Sequence, residues 1–484
     1  MRYTTWYIMA EANQLRAKHK TFTFQSYSWN IVNSNKLKIS FIYKISPDIF
    51  FDPSLTIHNV NQDMIDSLGK DAIDTYVFNI GLAEMFSYWK TTASPEIVIN
   101  CGYLSPENTL FWQKLLLKGM GEYFYQNMID FSQDNFIKII SNSNKKHSNI
   151  RAKTKTIHNK PKVMIPVGGG KDSSVSLEIL KKHFDVGTYL VSAPKSAQNL
   201  IDISRINIEN QIKITRNLDP KIFELNEKGY LNGHIPISAY LAFLSLLTAD
   251  LFDYSHVAIS NERSSNEGNV WYCDQEINHQ YSKSYEFESD LQNYVTKNLP
   301  EGSPLYFSFM RPLYELQIAQ IFSKLSEYHP VFRSCNRGQK QNIWCGNCSK
   351  CLFAWTIIFP FLAEEKMTAY FGKNLFEDEK LWPIAQELLG LSKAKPFDCV
   401  GTHEETIAAF YLSVQIYNNL KKKLPSLLSR VSHELLNNPK LQNGPEAEND
   451  YKLRAQKILY SWNDENSLPE EFTVILKKEL DNSK

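Results

Sequence analysis

The sequence carries almost no net charge, because its 484 residues include 53 Lys and Arg against 52 Asp and Glu. Such a balance argues against bulk electrostatic capture of nucleic acid. Long apolar runs are also missing: the longest, residues 351–363, is too short to span a bilayer and contains Pro360. The segment Met1–Ala10 lacks the apolar core of a signal peptide. We therefore expect a cytoplasmic protein that binds neither nucleic acid nor membrane.

Cysteine is scarce, with seven in the chain, and four of these lie between residues 335 and 351. A disulfide framework would spread its cysteines through a small secreted domain, so this crowding indicates metal or redox chemistry. The spacing C-x9-C-x2-C-x2-C is formed by Cys335, Cys345, Cys348 and Cys351. Four thiolates close a structural zinc site. An iron–sulfur cluster and reduced, metal-free thiols remain as alternatives for the same four residues.

The residue pattern divides the chain into five predicted regions. These are an N-terminal α+β region at 1–140, a basic linker at 141–162, a nucleotide-binding domain at 163–330, a cysteine-bearing extension at 331–400 and a helical region at 401–484. The linker has seven Lys or Arg and no acidic residue. That composition is typical of a solvated linker, and the alternative is a basic arm that contacts a polyanionic substrate.

Short apolar strands alternate with helical patterns from residue 162 onward, which predicts βαβ units and a parallel sheet covered by helices on both faces. The predicted strands are Val163–Val167, Thr188–Ser192, Ile212–Thr215, His256–Ser260 and Tyr306–Phe309. Beyond about residue 380 the pattern is helical and includes one long predicted helix, Glu404–Leu428.

The strongest local signal is a glycine-rich turn between a strand and a helix. It consists of Gly168, Gly169, Gly170, Lys171, Asp172, Ser173 and Ser174. Glycines let backbone N–H groups approach phosphate oxygens, and the helix that follows presents the positive end of its dipole. Asp172 excludes a Walker loop, which needs Ser or Thr after the Lys, and Ser173 stands where a dinucleotide fingerprint needs Gly or Ala.

This turn resembles the Ser-Gly-Gly-x-Asp-Ser pattern of the PP-loop ATP pyrophosphatases, with Gly168 in place of the first serine. The resemblance implies an adenine nucleotide α-hydrolase-like fold and a loop that holds the pyrophosphate of ATP. The cysteine spacing is similar to that of PP-loop 7-cyano-7-deazaguanine synthases, which bind zinc there.

Further segments extend the likeness to one family, and the similarity runs from about Phe78 to Gly401. The segments are Leu231–Pro236, Ser260–Ser264, Gly268–Trp271, Asn278–Ser284, Tyr306–Ser308, Arg311–Leu313 and Lys395–Gly401. Together they resemble the bacterial UDP-N-acetylmuramoyl-L-alanyl-L-glutamate epimerases. The resemblance implies inversion of the terminal L-glutamate of UDP-MurNAc-L-Ala-L-Glu through an acyl-adenylate, with ATP and Mg2+ consumed, AMP and pyrophosphate formed, and coupling to a downstream peptidoglycan precursor ligase.

Candidate site residues follow from this chemistry. Polar residues at strand ends should complete the nucleotide site, since ligands bind at the carboxyl ends of parallel strands. They are Ser192, Asn261 and Glu262, with Arg263 and Arg311 as candidates for charge stabilisation at the α-phosphate. Candidate bases are His279 and Lys283, four residues apart and on one face if the stretch is helical, and Cys399. His234 is a candidate for substrate binding or a turn residue.

Two other functions stay open from the sequence. One is a PP-loop ligase that forms an amide or nitrile on a nucleobase carboxylate, although the compact synthases lack the large regions before 160 and after 400. The other is an RNA-binding or scaffold protein with a relict nucleotide fold. A steep salt dependence of RNA affinity without ATP turnover would indicate the latter.

Overall fold

The computed structural model describes residues 11–147, 160–442 and 447–483. The N-terminal segment predicted to lack a targeting signal, residues 1–10, lies outside the described residues, as do residues 148–159 of the predicted basic linker. In the described ranges, no helix has both the length and the apolar character needed to cross a membrane.

Thirteen strands are found in the described ranges. They are β1 (Thr21–Val32), β2 (Lys36–Ile45), β3 (Ile49–Phe51), β4 (Ser54–His58), β5 (Glu96–Ile99), β6 (Lys138–Ser141), β7 (Lys162–Pro166), β8 (Asp185–Val191), β9 (Gln211–Asn217), β10 (His256–Ile259), β11 (Val270–Tyr272), β12 (Gln275–Ile277) and β13 (Leu305–Ser308).

The helices are α1 (residues 11–18), α2 (Gln62–Leu68), α3 (Lys70–Glu84), α4 (Phe86–Trp89), α5 (Pro106–Gly119), α6 (Gly121–Gln126), α7 (Lys171–Leu180), α8 (Lys195–Ser204), α9 (Lys221–Glu227), α10 (Ile237–Leu251), α11 (Tyr285–Asn298), α12 (Glu315–Phe322), α13 (Ser349–Ile358), α14 (Glu364–Phe371), α15 (Trp382–Leu388), α16 (His403–Asn419), α17 (Ser426–Asn437), α18 (Ala447–Tyr460) and α19 (Glu470–Ser483). Short 3-10 helices occupy Ile208–Asn210, Arg263–Asn266, Tyr281–Lys283, Phe359–Phe361, Leu375–Glu377 and Glu379–Leu381.

One 11-stranded sheet organises the protein, in the order β13-β10-β7-β8-β9-β4-β2-β1-β5-β6, with β3 beside β2. The strands from β13 to β9 run parallel, which confirms the predicted parallel sheet. The chain moves outward from β7 to β9 and then returns to β10 on the other side of β7. The strand order therefore reverses between β7 and β10, and such a reversal opens a crevice at the carboxyl ends of the two strands.

Except for β9, which exposes alternate residues, the parallel strands are buried on both faces, and their alternate residues point to two separate cores. In β7, Met164 belongs to one core, whereas its neighbours Val163 and Ile165 belong to the other. The first core includes α3 and α10; the second includes α7, α12, α13 and the C-terminal helices. Burial on both faces explains why these strands read as continuous apolar runs. Helices thus cover both faces of the sheet, and the C-terminal region is helical, as predicted.

The N-terminal region joins the same sheet through antiparallel pairing of β4 with β9. Its short predicted strands are parts of the longer β1 and β2, which pair along most of their length. The sheet is therefore continuous across the region boundary predicted at residue 140.

Two local predictions were wrong. The single helix predicted over 404–428 is two helices, because Pro425 precedes α17 and the stretch after Asn419 leaves helical geometry. The stretch that contains His279 and Lys283 is not an α-helix: His279 lies in a loop, and Lys283 ends a 3-10 helix. The two side chains do not share a helix face.

Candidate active site

The glycine-rich turn lies where β7 ends and α7 begins, next to the crevice between β7 and β10. Gly169 has φ +94°, and a Cβ there would meet Ser196 Oγ and would lie 2.9 Å from Ala197 N. Only glycine fits this position without strain. A Cβ on Gly168 would meet nothing within 4 Å, so Gly168 borders open space. Protein atoms therefore pack closely around the turn at Gly169, whereas space remains beside Gly168.

Side chains at the start of α7 are engaged within the protein. Ser173 and Ser174 donate hydrogen bonds of 3.2 and 3.0 Å to the carbonyl oxygen of Gly170. The buried Lys171 ammonium pairs with both Asp172 and Glu315. The charge of Lys171 is therefore balanced by two carboxylates in this structure. The backbone N–H groups remain as donors of the turn, although that of Ser174 also lies 3.4 Å from the carbonyl oxygen of Gly170.

The strand-end candidates lie at the carboxyl edge of the sheet, as expected. Ser192 follows β8, and its hydroxyl accepts a hydrogen bond of 2.9 Å from the backbone N–H of Arg216. Asn261 follows β10 and donates a hydrogen bond of 3.2 Å to Ser308 Oγ. Glu262 is buried. The guanidinium of Arg263 lies 4.4 Å from the centre of the Tyr314 ring.

Arg311, a candidate for the α-phosphate, is fully enclosed in the protein. Its guanidinium is 3.1 Å from Glu288 Oε2 and donates a hydrogen bond of 2.8 Å to the carbonyl of Glu262. A second hydrogen bond goes to the carbonyl oxygen of Lys283. These contacts make Arg311 a support for the polypeptide around Lys283 and Glu262, since no face of the guanidinium is exposed.

The three candidate bases meet although no common helix carries them. Lys283 Nζ donates a hydrogen bond of 3.0 Å to Cys399 Sγ, and His279 Nε2 lies 3.9 Å from the same sulfur. Cys399 belongs to the loop between α15 and α16. The sequence therefore nominated three residues that the fold assembles around one thiol.

Glu122, on α6, completes this group and was missed from the sequence. Its carboxylate is hydrogen bonded to His279 Nδ1 and lies 3.5 Å from His234 Nδ1. Glu122 is buried. In the sequence it stands in an ordinary helical pattern without a motif, so no local signal marked it. We call Glu122, His279, Lys283 and Cys399 the Cys399 cluster.

Charges within the Cys399 cluster shift its ionisation. Burial opposes ionisation of the Cys399 thiol, but the positive charges of Lys283, Lys350 and His279 outweigh it and lower the pKa of that thiol well below its usual value. Burial likewise opposes protonation of His279, yet hydrogen bonds to Cys399 and Glu122 raise its pKa to about 9. The charges of the cluster therefore favour a thiolate beside an imidazolium.

His234 differs from its neighbour His279, although their ring centres are only 4.4 Å apart. Burial lowers the pKa of His234 to about 3, and the positive charges of His279, Lys283 and Lys90 add to the effect. His234 is thus a neutral imidazole next to a charged one.

Cys399 and two residues of the glycine-rich turn line one small cavity. Its walls include Lys171 and Asp172 from the turn and Cys399 from the cluster. Asp172 also acts on Lys283: burial lowers the pKa of Lys283, but the charges of Cys399, Glu262 and Asp172 raise it above its usual value. The predicted nucleotide loop and the predicted bases are therefore neighbours in one site.

The four clustered cysteines form a separate centre. Sulfur separations are 3.9 Å for Cys335 and Cys348, 3.7 Å for Cys345 and Cys351, and 3.5 Å for Cys348 and Cys351. A tetrahedron of thiolates around zinc has sulfur–sulfur edges of about 3.8 Å, given a Zn–S bond of about 2.3 Å. The donor set fits a closed four-thiolate metal site, with Cys351 in the first turn of α13.

Two domain models of one protein family match this chain. The MurL N-terminal domain matches residues 13–309, and the MurL C-terminal domain matches residues 331–440. The chain belongs to the MurL family. The resemblance found in the sequence is thereby confirmed.

Three curated relatives share about one third of their residues with this MurL-family chain. A Salinispora tropica protein is 33% identical over 333 residues, which cover 67% of this chain and 70% of the relative. A Micromonospora protein is 33% identical and a Xanthomonas oryzae pv. oryzae protein 32% identical, over 72% and 71% of their lengths. All three are named UDP-N-acetyl-alpha-D-muramoyl-L-alanyl-L-glutamate epimerase. No solved structure matches the chain.

The two MurL matches both contribute to the candidate site. The first includes Glu122, the glycine-rich turn, His279 and Lys283, and the second includes Cys399 and the four clustered cysteines. The Cys399 cluster is therefore assembled from both matched regions.

Proposed function

We propose that this protein is the ATP-dependent epimerase that inverts the terminal L-glutamate of UDP-MurNAc-L-Ala-L-Glu, giving the D-glutamate form for peptidoglycan synthesis. The names of its relatives supply the substrate. The observation that carries the chemistry is the cavity shared by Cys399 with Lys171 and Asp172. One site thus combines a phosphate-binding type of turn with titratable groups. The product would pass to a downstream peptidoglycan precursor ligase.

Carboxylate activation explains why these two parts belong together. An α-proton beside a carboxylate is hard to remove, because the carbanion would form next to an anion. Joining the carboxylate to AMP removes that charge and makes the carbonyl a better electron sink. A base then takes the proton, and its return from the other face inverts the centre. Hydrolysis of the mixed anhydride restores the acid.

In this proposal, the glycine-rich turn binds the nucleotide. Backbone N–H groups of Gly168–Ser174 hold the outer phosphates at the start of α7, and this arrangement leaves the α-phosphorus open to the substrate carboxylate. Asp172 offers a partly exposed carboxylate, the type of ligand that Mg2+ prefers. The charges of Asp172 and of the buried Glu262 both raise the pKa of Lys283. Bound Mg2+ would neutralise charge on the phosphates.

Removal of the α-proton is assigned to the Cys399 cluster, whose members are hydrogen bonded to one another. The four clustered cysteines would hold zinc in a structural role, because a four-thiolate site leaves no open ligand position. Zinc there would stabilise the loops around α13 rather than take part in the reaction.

Incubation with ATP, Mg2+ and UDP-MurNAc-L-Ala-L-Glu, followed by chiral analysis of the glutamate, tests the proposal. We expect D-glutamate, AMP and pyrophosphate, with deuterium from D2O at the glutamate α-carbon. Formation of ADP, or turnover without deuterium uptake, would refute the mechanism. Asp172→Ala should abolish pyrophosphate release, whereas Asp202→Ala, on the exposed surface of α8, provides a matched control that should leave it unchanged.

A further inference from the structure

Cys399 has the surroundings of a nucleophile. Its sulfur lies 3.9 Å from His279 Nε2, and the opposite ring nitrogen of His279 is hydrogen bonded to Glu122. A thiol, an imidazole and an orienting carboxylate in that order are the parts of an activated nucleophile. The three residues come from different parts of the chain, so their alignment is a product of the fold.

The distances do not suit a pair of bases on opposite faces of a substrate carbon. Each proton-transfer atom needs about 3 Å to the atom it serves, so two groups that flank one carbon lie roughly 6 Å apart. The separations from Cys399 Sγ are only 3.9 Å to His279 and 3.0 Å to Lys283. Cys399 and its two cationic neighbours therefore cannot flank one substrate carbon, and the proton that returns from the other face comes from a group outside the Cys399 cluster.

The position of the sulfur also suits attack on an activated acyl group. Cys399 lines the same cavity as Lys171 and Asp172 of the glycine-rich turn. If the phosphates of an acyl-adenylate bind at this turn, the carbonyl carbon would lie on the side of the turn where Cys399 lines the cavity, and the thiolate could reach it.

We propose that Cys399 accepts the glutamyl group from the acyl-adenylate as a thioester, an inference that rests on the proposed function. The thiolate sulfur bonds to the carbonyl carbon, the bond from that carbon to the phosphate oxygen breaks, and AMP leaves with the electron pair. Water later adds to the carbonyl, the C–S bond breaks, and the thiolate is regenerated as the free carboxylate departs. The sum remains ATP and water to AMP and pyrophosphate.

Formation of the thioester would also allow His279 to act as a base. Formation of the thioester consumes the negative charge on the sulfur, which is one of the two interactions that raise the pKa of His279. The imidazolium then loses its proton more readily and becomes a base beside the substrate. The thioester carbonyl acidifies the α-proton and keeps the substrate attached while that proton is exchanged.

A labelling experiment on the full-length protein tests this inference. The enzyme is mixed with ATP, Mg2+ and UDP-MurNAc-L-Ala-L-Glu radiolabelled in glutamate, quenched in acid within one turnover, and denatured. We expect label bound to the protein, mapped to the peptide with Cys399 and released by neutral hydroxylamine. His279→Asn should retain more label, because hydrolysis loses its base. Cys399→Ser, which differs by one atom, should lose the hydroxylamine-sensitive label.

A matched control is Cys273→Ser, since Cys273 is a half-buried thiol outside the site and its loss should leave the label intact. Absence of label in both the wild type and His279→Asn, while substrate-dependent exchange of pyrophosphate into ATP proceeds, would overturn the thioester and leave the adenylation standing. Label that survives in Cys399→Ser and is still released by hydroxylamine would also overturn it. Absence of the exchange itself would instead refute the proposed function.

Discussion

Asn336 Nδ2 donates a hydrogen bond of 2.8 Å to Asp398 Oδ1, which connects the residue after Cys335 to the residue before Cys399. The second carboxylate oxygen of Asp398 accepts a hydrogen bond from Ser349, which follows Cys348. Two residues next to cysteines of the candidate zinc site thus hold the loop that carries the site thiol. Hydrogen bonds through Asp398 therefore connect the candidate zinc site to the Cys399 cluster.

Metal removal should therefore disturb Cys399 at a distance. We expect Cys348→Ser to bind less zinc, to unfold at a lower temperature and to change the rate of Cys399 alkylation by iodoacetamide, because the Asp398 loop loses its anchors. Metal content, thermal unfolding and peptide-resolved alkylation measure these effects. Asn336→Ala is the matched variant: it should retain zinc yet alter Cys399 alkylation. Unchanged alkylation in both variants would exclude the link.

Gly169 should tolerate no side chain, whereas Gly168 should. Gly169→Ala forces a non-glycine residue to φ +94° and against Ser196, which costs about 1–3 kcal/mol. We expect the Michaelis constant for ATP to rise by roughly 10- to 100-fold. Gly168→Ala meets no protein atom within 4 Å, so it should leave the stability of the protein unchanged. Gly229→Ala is the control for the Michaelis constant, because Gly229 also has a positive φ, of +81°, but lies outside the turn. An equal rise in the Michaelis constant for ATP in Gly229→Ala would show that the effect does not come from the turn.

Lys171 and Glu315 should depend on each other for stability. Both side chains are buried and form an ion pair. Removal of one charge leaves the other buried without a partner, which typically lowers the free energy of unfolding by about 3–5 kcal/mol. We expect Lys171→Gln to lower the free energy of unfolding in urea by that order and Lys171→Gln with Glu315→Gln to lower it less. A double variant as unstable as the single one would contradict this, with Lys195→Gln, on α8, as a surface control.

Cys399 should react with iodoacetamide at a lower pH than Cys273. Its pKa lies well below the usual value because Lys283, Lys350 and His279 outweigh the effect of burial. Burial raises the pKa of the half-buried Cys273, which therefore gives an internal reference. The pH dependence of alkylation, followed separately for the peptide with Cys399 and the peptide with Cys273, gives the titration midpoint of each thiol. A Cys399 midpoint at or above that of Cys273 would contradict the electrostatic account.

Glu122 should act through His279. Glu122→Gln removes a negative charge that helps to raise the pKa of His279 to about 9. With a less cationic imidazole beside it, the Cys399 thiolate loses stabilisation, so its alkylation midpoint should move to higher pH. Epimerisation should fall by roughly 100-fold, in the range of general acid–base contributions. Glu122→Asp, which keeps the charge, should restore part of both properties; a merely structural role would leave the midpoint unmoved.

The Cys399 cluster also predicts how stability varies with pH. The pKa of His279 is raised in the folded state, so its contribution is complete below the unfolded value of 6.5 and is lost as pH rises through about 9. The pKa of Cys399 is lowered, so its contribution is complete above the unfolded value of 9.0 and is lost as pH falls through the folded value. Where the two windows overlap, below pH 9, the two slopes oppose each other; below pH 6.5 only the contribution of Cys399 can still change, and it falls as pH falls. Urea unfolding of wild type and Cys399→Ser across this range measures the difference.

The sequence by itself determined the features of this protein that depend on residues close together in the chain. The turn after β7 could be read from its glycines, because phosphate-type loops depend on backbone conformations that particular residues permit. The four metal-type cysteines could be read from their spacing, since two-residue gaps already place sulfurs near one ion. Four of the five parallel strands were visible as short apolar runs and β9 as an alternating segment. Family membership followed from several short segments.

Only the tertiary structure decided which distant residues meet. Glu122 and Cys399 are separated from His279 by 157 and 120 positions, and no periodicity encodes contacts of that range. They depend on how α6 and the loop after α15 pack around the sheet. The pairing of β4 with β9, which unites the N-terminal region with the parallel strands, is likewise made by backbone hydrogen bonds that side-chain patterns do not specify. The sequence therefore nominated the thiol, the imidazole and the ammonium, and the fold alone made them one site.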